Sequence, residues 1–240
     1  MADAAGPDTA VGFGFFPVTH TCRLIWEEGA HLTIPVGPWS PGASADRIAA
    51  LTCWSARHFG QVDVVRTDLG VEGVLAAFGH DPWDARRRAA ALDRAVRATI
   101  AQGVREAGAA GRRVRVRALS DFADHHMYRV LCHRVEAALT AEDELRQACD
   151  HTVQQFLASR LQDSGPATED QLRAGRAYLT AELPFLVDTP GLLGVPSSVF
   201  CHPVATPLAE VLFGRGSGLR AARDQGYAVV RPARVVRDAA

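Results

Sequence analysis

Not one of the 240 residues is lysine, so all 26 basic side chains are arginine. A P-loop needs a lysine on the β/γ-phosphates, and Schiff-base or pyridoxal-phosphate chemistry needs a lysine amine, so these classes are excluded. Lysine-dependent ATP-activating loops are excluded with them. No apolar run approaches the ~18–20 residues that span a bilayer as a helix. The five cysteines (Cys22, Cys53, Cys132, Cys149, Cys201) are odd in number and contain no C-x-x-C, which argues against a disulfide framework and a zinc site. Met1 to Asp8 lacks the positive n-region and apolar h-region of an export signal. Together these absences predict a cytoplasmic protein with no membrane, metal or cofactor requirement. Gly12-Phe13-Gly14 lacks the third glycine of a dinucleotide fingerprint and carries no weight.

What is present is an ordinary globular balance: 48% apolar, 22% charged, formal charge −1. Residues 1–18, rich in Gly, Ala and Pro, are expected to be a flexible tail ahead of a single domain over 19–240. Short β-branched runs at His31 to Val36, Val62 to Thr67, Arg113 to Ala118 and Tyr227 to Arg231 predict strands. Longer periodic stretches over Ala45–Phe59, Pro82–Ala107, most of Ser120–Arg160 and Glu169–Leu183 predict helices. Gln162–Ala167 is the one clear break. Strand–helix alternation predicts an α/β fold, a parallel sheet covered on both faces.

Asp81-Pro82-Trp83-Asp84 is a helix start, with an N-cap acid, proline at N1 and an acid at N3. The breaker-free run that follows is a rod of roughly 39 Å. At 100° per residue, Arg86, Arg87, Arg94, Arg97 and Arg105 share an arc of about 100°, while Ala85, Ala89, Leu92, Val96 and Ile100 form the core-facing side. Asp93 and Glu106 are the acids interleaved with this stripe. Co-facing guanidinium groups fit a phosphate backbone, and Arg112, Arg113, Arg115 and Arg117 extend the basic character into the next strand. The stripe is consistent with binding one folded RNA and also with a solvated face.

Three short segments carry chemistry. Trp39-Ser40-Pro41-Gly42-Ala43-Ser44 sits between the first strand and the first helix, where open α/β sheets bind ligands, and helix N–H groups there can stabilise an oxyanion. By itself it is also a Pro/Gly-rich loop in which Ser44 is the better N-cap. Thr168-Glu169-Asp170-Gln171 starts a helix that puts Tyr178 and Glu182 one turn apart on one face, a pair that can hold an ammonium group or simply pack beside solvent. Val195-Pro196-Ser197-Ser198 leads into an apolar strand that ends at His202, with no partner ligands at zinc spacing.

Taken in this order, the segments resemble the cyclodipeptide synthase family. The likeness runs from about Arg23 to Pro232 and includes Trp39-Ser40-Pro41-Gly42-Ala43-Ser44, Asp63-Val64-Val65, Arg115-Val116-Arg117-Ala118-Leu119, Tyr128-Arg129, Leu172-Arg173-Ala174-Gly175 with Tyr178 and Glu182, and Val195-Pro196-Ser197-Ser198-Val199. The resemblance implies a Rossmann-like fold similar to the catalytic domains of class I tyrosyl- and tryptophanyl-tRNA synthetases. It also implies synthesis of 2,5-diketopiperazines from two aminoacyl-tRNAs by a monomeric enzyme. Ser40 would form an aminoacyl-enzyme and then a dipeptidyl-enzyme. Tyr178 and Glu182 would hold the amine, Tyr128 and His202 would complete the catalytic set, and the arginine stripe would bind tRNA. Val65, Leu119 and Phe185 would line the pocket for the first aminoacyl group; Thr152, Ser159, Arg160, Pro203 and Val204 would line the second. An ester that arrives already activated needs no ATP, which agrees with the missing lysine.

Two departures from the family pattern stand out. A gapless alignment puts Gly37, not Ser40, at the nucleophile; the local Trp-Ser-Pro-Gly-x-Ser pattern favours Ser40. Ala43 and Pro203 match the subfamily with a variable residue after the serine turn and a Tyr-Pro pair, but here the tyrosine is His202. A neutral imidazole can relay a proton in its place. The rivals are a single-transfer aminoacyl-tRNA-dependent acyltransferase, a catalytically inactive aminoacyl-tRNA-binding relative, and a serine hydrolase. The last is weakened by the absence of G-x-S-x-G.

Overall fold

The computed structural model describes residues 12–40, 43–159 and 166–233. The chain runs β1 (Phe13–Pro17), α1 (His20–Glu28), β2 (His31–Val36), α2 (Ala45–His58), β3 (Gln61–Arg66), α3 (Val71–Ala77), α4 (Pro82–Glu106) and β4 (Val114–Ala118). It continues through α5 (His126–Ala141), α6 (Asp143–Ala158), α7 (Glu169–Leu193), β5 (Ser198–His202), α8 (Pro207–Gly214) and β6 (Gln225–Pro232). The six strands form one sheet in the order β1-β6-β5-β2-β3-β4, parallel throughout except that β1 pairs antiparallel with β6.

Period-2 alternation divides the core. Leu32, Ile34, Val62, Val64, Val199 and Cys201 pack with Ile48, Leu51 and Trp54 of α2 and with Val96 and Ile100 of α4. Val65, Phe200, Tyr227 and Val229 face the other way, into Leu131 and Val135 of α5, Cys149 and Val153 of α6, and Phe185 of α7. The expected α/β architecture is the observed one, a central sheet with helices on both faces.

The boundary of the expected N-terminal tail needs correction. Residues 1–11 lie outside the described residues, but Phe13–Pro17 is a strand in register with Ala228–Pro232. Its aromatic side chains supply the reason: Phe15 stacks on Trp26 at 3.7 Å between ring centroids and Phe13 meets Trp54 at 5.5 Å. Glycine-rich composition suggested a tail; burial of alternate aromatics outweighs it. The long stretch expected as one helix over Ser120–Arg160 is a 3₁₀ turn followed by two helices that meet at Glu142. Helix α7 continues ten residues beyond the predicted end at Leu183, through Pro184 and Pro190, with a kink at Asp188 (φ −156°, ψ 65°).

Strand order positions the site. From β2 the chain goes to β3 on one side, while β5 pairs with β2 on the other, so the order reverses between β2 and β5. Ligands of open parallel sheets bind at that point, beyond the carboxyl ends of the strands.

Candidate active site

The carboxyl end of β2 closes in a tight turn: Ser40 N–H donates to the Gly37 carbonyl at 3.1 Å, and Gly37 N–H donates to Ser40 Oγ at 2.7 Å. Gly37 is buried and has no room for a side chain. A Cβ there would overlap Thr67 Oγ1 and lie 2.7 Å from the Tyr178 hydroxyl. The serine three residues on is folded back onto the Gly37 amide.

Ser40 lines a cavity of about 340 Å³ together with Tyr178, Glu182 and His202. The structure therefore brings together four of the five candidate catalytic residues. Tyr178 and Glu182 come from α7, whose capping box forms as its sequence predicts: Gln171 N–H donates to Thr168 Oγ1 at 3.3 Å and Thr168 N–H to Gln171 Oε1 at 2.9 Å. Tyr178 is buried, with its hydroxyl 3.2 Å from Thr67 Oγ1 and its ring between Trp39 (edge-on, 5.2 Å) and Phe156 (stacked, 5.3 Å). The left-handed Gly70 (φ +77°) lets the start of α3 approach, since a Cβ there would come 2.9 Å from the Tyr178 Cα.

Glu182 lies one turn further along and has no hydrogen-bond or ion-pair partner among the described residues. Burial among apolar groups pushes its carboxyl up to about 7. A smaller, mainly apolar annex of about 60 Å³ opens beside it, walled by Leu179, Leu183, Leu186, Phe200, Leu208 and Tyr227, with Thr152, His202 and Thr206 as polar members of the wall. His202 Nδ1 lies 2.9 Å from the Val204 carbonyl and 3.4 Å from the Val204 amide; the shorter contact favours the tautomer with the proton on Nδ1 and Nε2 as acceptor. Burial holds this imidazole below its ordinary range, with the Arg47 charge acting in the same direction and the Val204 carbonyl opposing it.

Tyr128 lies elsewhere. It is 5% exposed, packed in the core with Phe122 and Phe185, and its hydroxyl donates to the Ala181 carbonyl at 2.8 Å. It braces the turn of α7 that carries Glu182 from behind the cavity. Of the residues expected to line pockets, Thr152, Ser159, Pro203 and Val204 line the cavity. Val65, Leu119 and Phe185 are buried in the core with Tyr128, and Arg160 lies outside the described residues. Sequence reasoning missed Arg47, Thr67, Gln155 and Phe156, which also form the cavity wall. Arg47 follows the Ser44 N-cap that the sequence does reveal; Thr67 and Phe156 reach the cavity only through tertiary packing.

All five arginines of the α4 stripe are exposed. Arg86 pairs with Glu72 at 3.5 Å, Arg87 with Asp84 at 2.5 Å and Arg97 with Asp93 at 2.9 Å; Arg94 and Arg105 have no ion-pair partner among the described residues. Glu72 comes from α3, a partner that the helix's own sequence cannot reveal. Asp93 also takes Arg66 of β3, tying the helix to the sheet. Trp83, 72% exposed, has the Arg87 guanidinium 5.3 Å above its ring.

A Ser–His–Asp arrangement exists, but at the opposite end of the sheet. Ser198 Oγ lies 2.7 Å from His31 Nδ1, and His31 Nε2 lies 2.9 Å from Asp63 Oδ2; Arg117 Nε closes the chain on Asp63 Oδ1 at 2.6 Å. Ser198, His31 and Asp63 are all 0–1% exposed, at the amino ends of β5, β2 and β3. Sealed from solvent, the trio can bind no substrate; with Arg117 of β4 it cross-links four strands. Burial pushes the Asp63 carboxyl up, but hydrogen bonds from His31, Gln61 and Arg117 outweigh it and leave it below the usual carboxylate range. Among the described residues no helix is long and apolar enough to cross a membrane, all five cysteines are free, and no cluster of metal-ligating side chains is present.

The cyclodipeptide synthase family model matches residues 13–232. A cyclo(L-tyrosyl-L-tyrosyl) synthase of Mycobacterium tuberculosis is 40% identical over 221 residues, covering 92% of this chain and 76% of that protein. The crystal structure of a cyclo(L-leucyl-L-phenylalanyl) synthase superposes with a TM-score of 0.86 at 31% identity, over 92% of this chain and 99% of that one. A second structure, a Mycobacterium tuberculosis protein described as relating cyclodipeptide synthetases to type I tRNA synthetases, gives a TM-score of 0.83 at 39% identity, over 93% and 94% of the two chains. A serine turn, a buried Tyr–Glu pair and a strand-end histidine around one cavity, on a fold matched along almost its whole length, lead to the same assignment: the chain belongs to the cyclodipeptide synthase family.

Proposed function

We propose that this protein joins two aminoacyl groups, delivered as aminoacyl-tRNA esters, into a 2,5-diketopiperazine, with Ser40 as the covalent carrier. The observation that carries this reading is the convergence of Ser40, Tyr178 and Glu182 on one cavity at the switch point of the sheet. In the first step a bond forms between Ser40 Oγ and the ester carbonyl carbon, and the bond from that carbon to the ribose oxygen breaks. The serine proton ends on the ribose oxygen. Donation from Gly37 N–H stabilises negative charge building on Oγ during attack. One ester replaces another, so ATP is not needed.

Glu182, ionised, and the Tyr178 hydroxyl hold the ammonium group of the bound aminoacyl residue. The apolar annex beside Glu182 suits an apolar side chain. A second aminoacyl-tRNA then supplies its acyl carbon to the amine of the enzyme-bound residue, its tRNA leaves, and a dipeptidyl-Ser40 ester results. The free amine of that dipeptide attacks its own ester carbonyl, closing the ring and returning the proton to Ser40. His202, neutral with Nε2 as an acceptor, takes up and passes on the amine proton in these later steps. Tyr128 is a positioning residue for α7. Arg94 and Arg105, with Arg86, Arg87 and Arg97, form the face that receives the tRNA phosphates. The protein acts as a monomer in the cytoplasm, without metal or cofactor.

Mass spectrometry of culture medium from a host expressing the wild type and Ser40→Ala tests the whole reading. A new cyclic dipeptide present with the wild type and missing with the variant supports it. A wild type that consumes aminoacyl-tRNA without making a ring would favour a single-transfer acyltransferase instead.

A further inference from the structure

The cavity is electrically polarised. Glu182 lies toward the α7 wall and has no counter-charge among the described residues. Arg47, in the first turn of α2, lines the same cavity and likewise forms no ion pair among the described residues. Its backbone is fixed, because Arg47 N–H donates to the N-cap Ser44 Oγ at 3.2 Å. Its charge bears on Cys201 and His202, at the end of β5, which line the cavity with it. A carboxyl group on α7 and a guanidinium on α2 therefore line one cavity without an ion pair between them, with Ser40 lining it as well.

An aminoacylated nucleotide carries the complementary polarity. Its ammonium lies two bonds from the acyl carbon, and its phosphate lies beyond the ribose on the other side of the scissile ester. The buried and half-buried arginines of the sheet are engaged by acids, Arg66 by Asp68 and Asp93 and Arg117 by Asp63. A guanidinium held at a reaction cavity without an acid matches the fork geometry of phosphate oxygens.

We propose that Arg47 is a positioning residue for acylation: it binds the phosphate on the 5′ side of the 3′-terminal nucleoside of a bound aminoacyl-tRNA, while Glu182 takes the amine. The two contacts together fix the direction of the ester across Ser40. This assignment rests on the function proposed above. It differs from the α4 stripe, which meets the tRNA body outside the cavity.

The test uses two small probes that carry the same amino acid, 2′(3′)-O-aminoacyl-adenosine with and without a 5′-phosphate, and reads the rate of the covalent adduct by intact-protein mass spectrometry. The amino acid is the one whose tRNA ester labels the wild type fastest. The wild type is expected to prefer the phosphorylated probe by about tenfold in apparent KM, with the maximal rate little changed, the size of a charge-assisted hydrogen-bonded pair. Arg47→Gln removes that preference, so that the two probes react with the same apparent KM; Arg47→Lys recovers part of it. A preference that survives in Arg47→Gln overturns the assignment, as does a variant that loses both probes equally, since Arg47 would then be shaping the cavity. A wild type that takes up neither these probes nor aminoacyl-tRNA overturns the proposed function, and this assignment with it.

Discussion

The amide of Gly37 donates to the hydroxyl oxygen of Ser40 at 2.7 Å, and that bond sets the serine over the end of β2 instead of out in the following loop. Gly37 can do this only without a side chain, because Thr67 and Tyr178 already fill the space next to its Cα. A gapless alignment that puts Gly37 at the nucleophile and a motif alignment that chooses Ser40 thus meet at one place in the fold.

Gly37→Ala should therefore be severe. The added methyl group must displace Thr67 or the Tyr178 hydroxyl, and overpacking of this kind costs about 1–3 kcal/mol. Thermal melting should fall, and adduct formation from aminoacyl-tRNA should drop at least about tenfold in the protein that remains folded. Gly37→Ala/Thr67→Ala should recover part of the lost stability, because it removes one of the two obstructing groups.

Glu182 gives a pH signature with a defined sign. Burial raises its carboxyl to about 7 from an ordinary 4.5, so the free enzyme holds the useful carboxylate only above neutrality. The kcat/KM for acylation should rise with pH through about 7, and Glu182→Gln should abolish that rise. Stability runs the other way. The folded state prefers the proton, so the contribution is fully present below pH 4.5 and is lost as pH climbs through about 7. Glu182→Gln should melt higher than the wild type at pH 8 and level with it at pH 4.5, by differential scanning fluorimetry.

His202 should separate the steps. His202→Phe keeps an aromatic ring but loses both nitrogens, so it should still form the aminoacyl-Ser40 adduct while releasing at least about tenfold less ring product. His202→Tyr should restore product by presenting a hydroxyl instead. Equal loss of adduct and product in His202→Phe would mean that the residue acts before the second transfer.

On the α4 face, Arg94 and Arg105 should matter more than Arg87, which Asp84 already occupies. Arg94→Gln should weaken tRNA binding at every salt concentration and reduce the slope of log K against log salt by about 1, the signature of one lost phosphate contact. Arg87→Gln should change the slope less. Filter binding between 50 and 200 mM salt distinguishes them.

Much of this was legible in the sequence, for physical reasons. His31 to Val36 reads as a strand because Leu32, Thr33, Ile34 and Val36 fit a pleated, buried surface, and it is β2 to the residue despite Pro35. Pro82–Ala107 reads as a helix because its cap, its N1 proline and its apolar stripe agree, and Ala85, Val96 and Ile100 are buried as the stripe predicts. Tyr178 and Glu182 share a face because helical spacing puts them there. Long-range packing was not legible. The tail at Phe13–Pro17 becomes a strand only when β6 and the Trp26–Trp54 cluster are present to receive it. Val65, Leu119 and Phe185 look like pocket residues by position yet sit in the core. The Pro-Ser-Ser turn gave no hint that Ser198 would bond a histidine 167 positions away.

The central claim is that Ser40 Oγ carries the acyl group. Intact-protein mass spectrometry after brief incubation with a set of charged tRNAs tests it most directly. The wild type should gain the mass of one aminoacyl residue, mapped by proteolysis to the peptide containing Ser40, and Ser40→Ala should gain nothing while melting as the wild type does. An adduct that persists in Ser40→Ala, or a wild type that makes the cyclic dipeptide with no adduct at any time point, would contradict it.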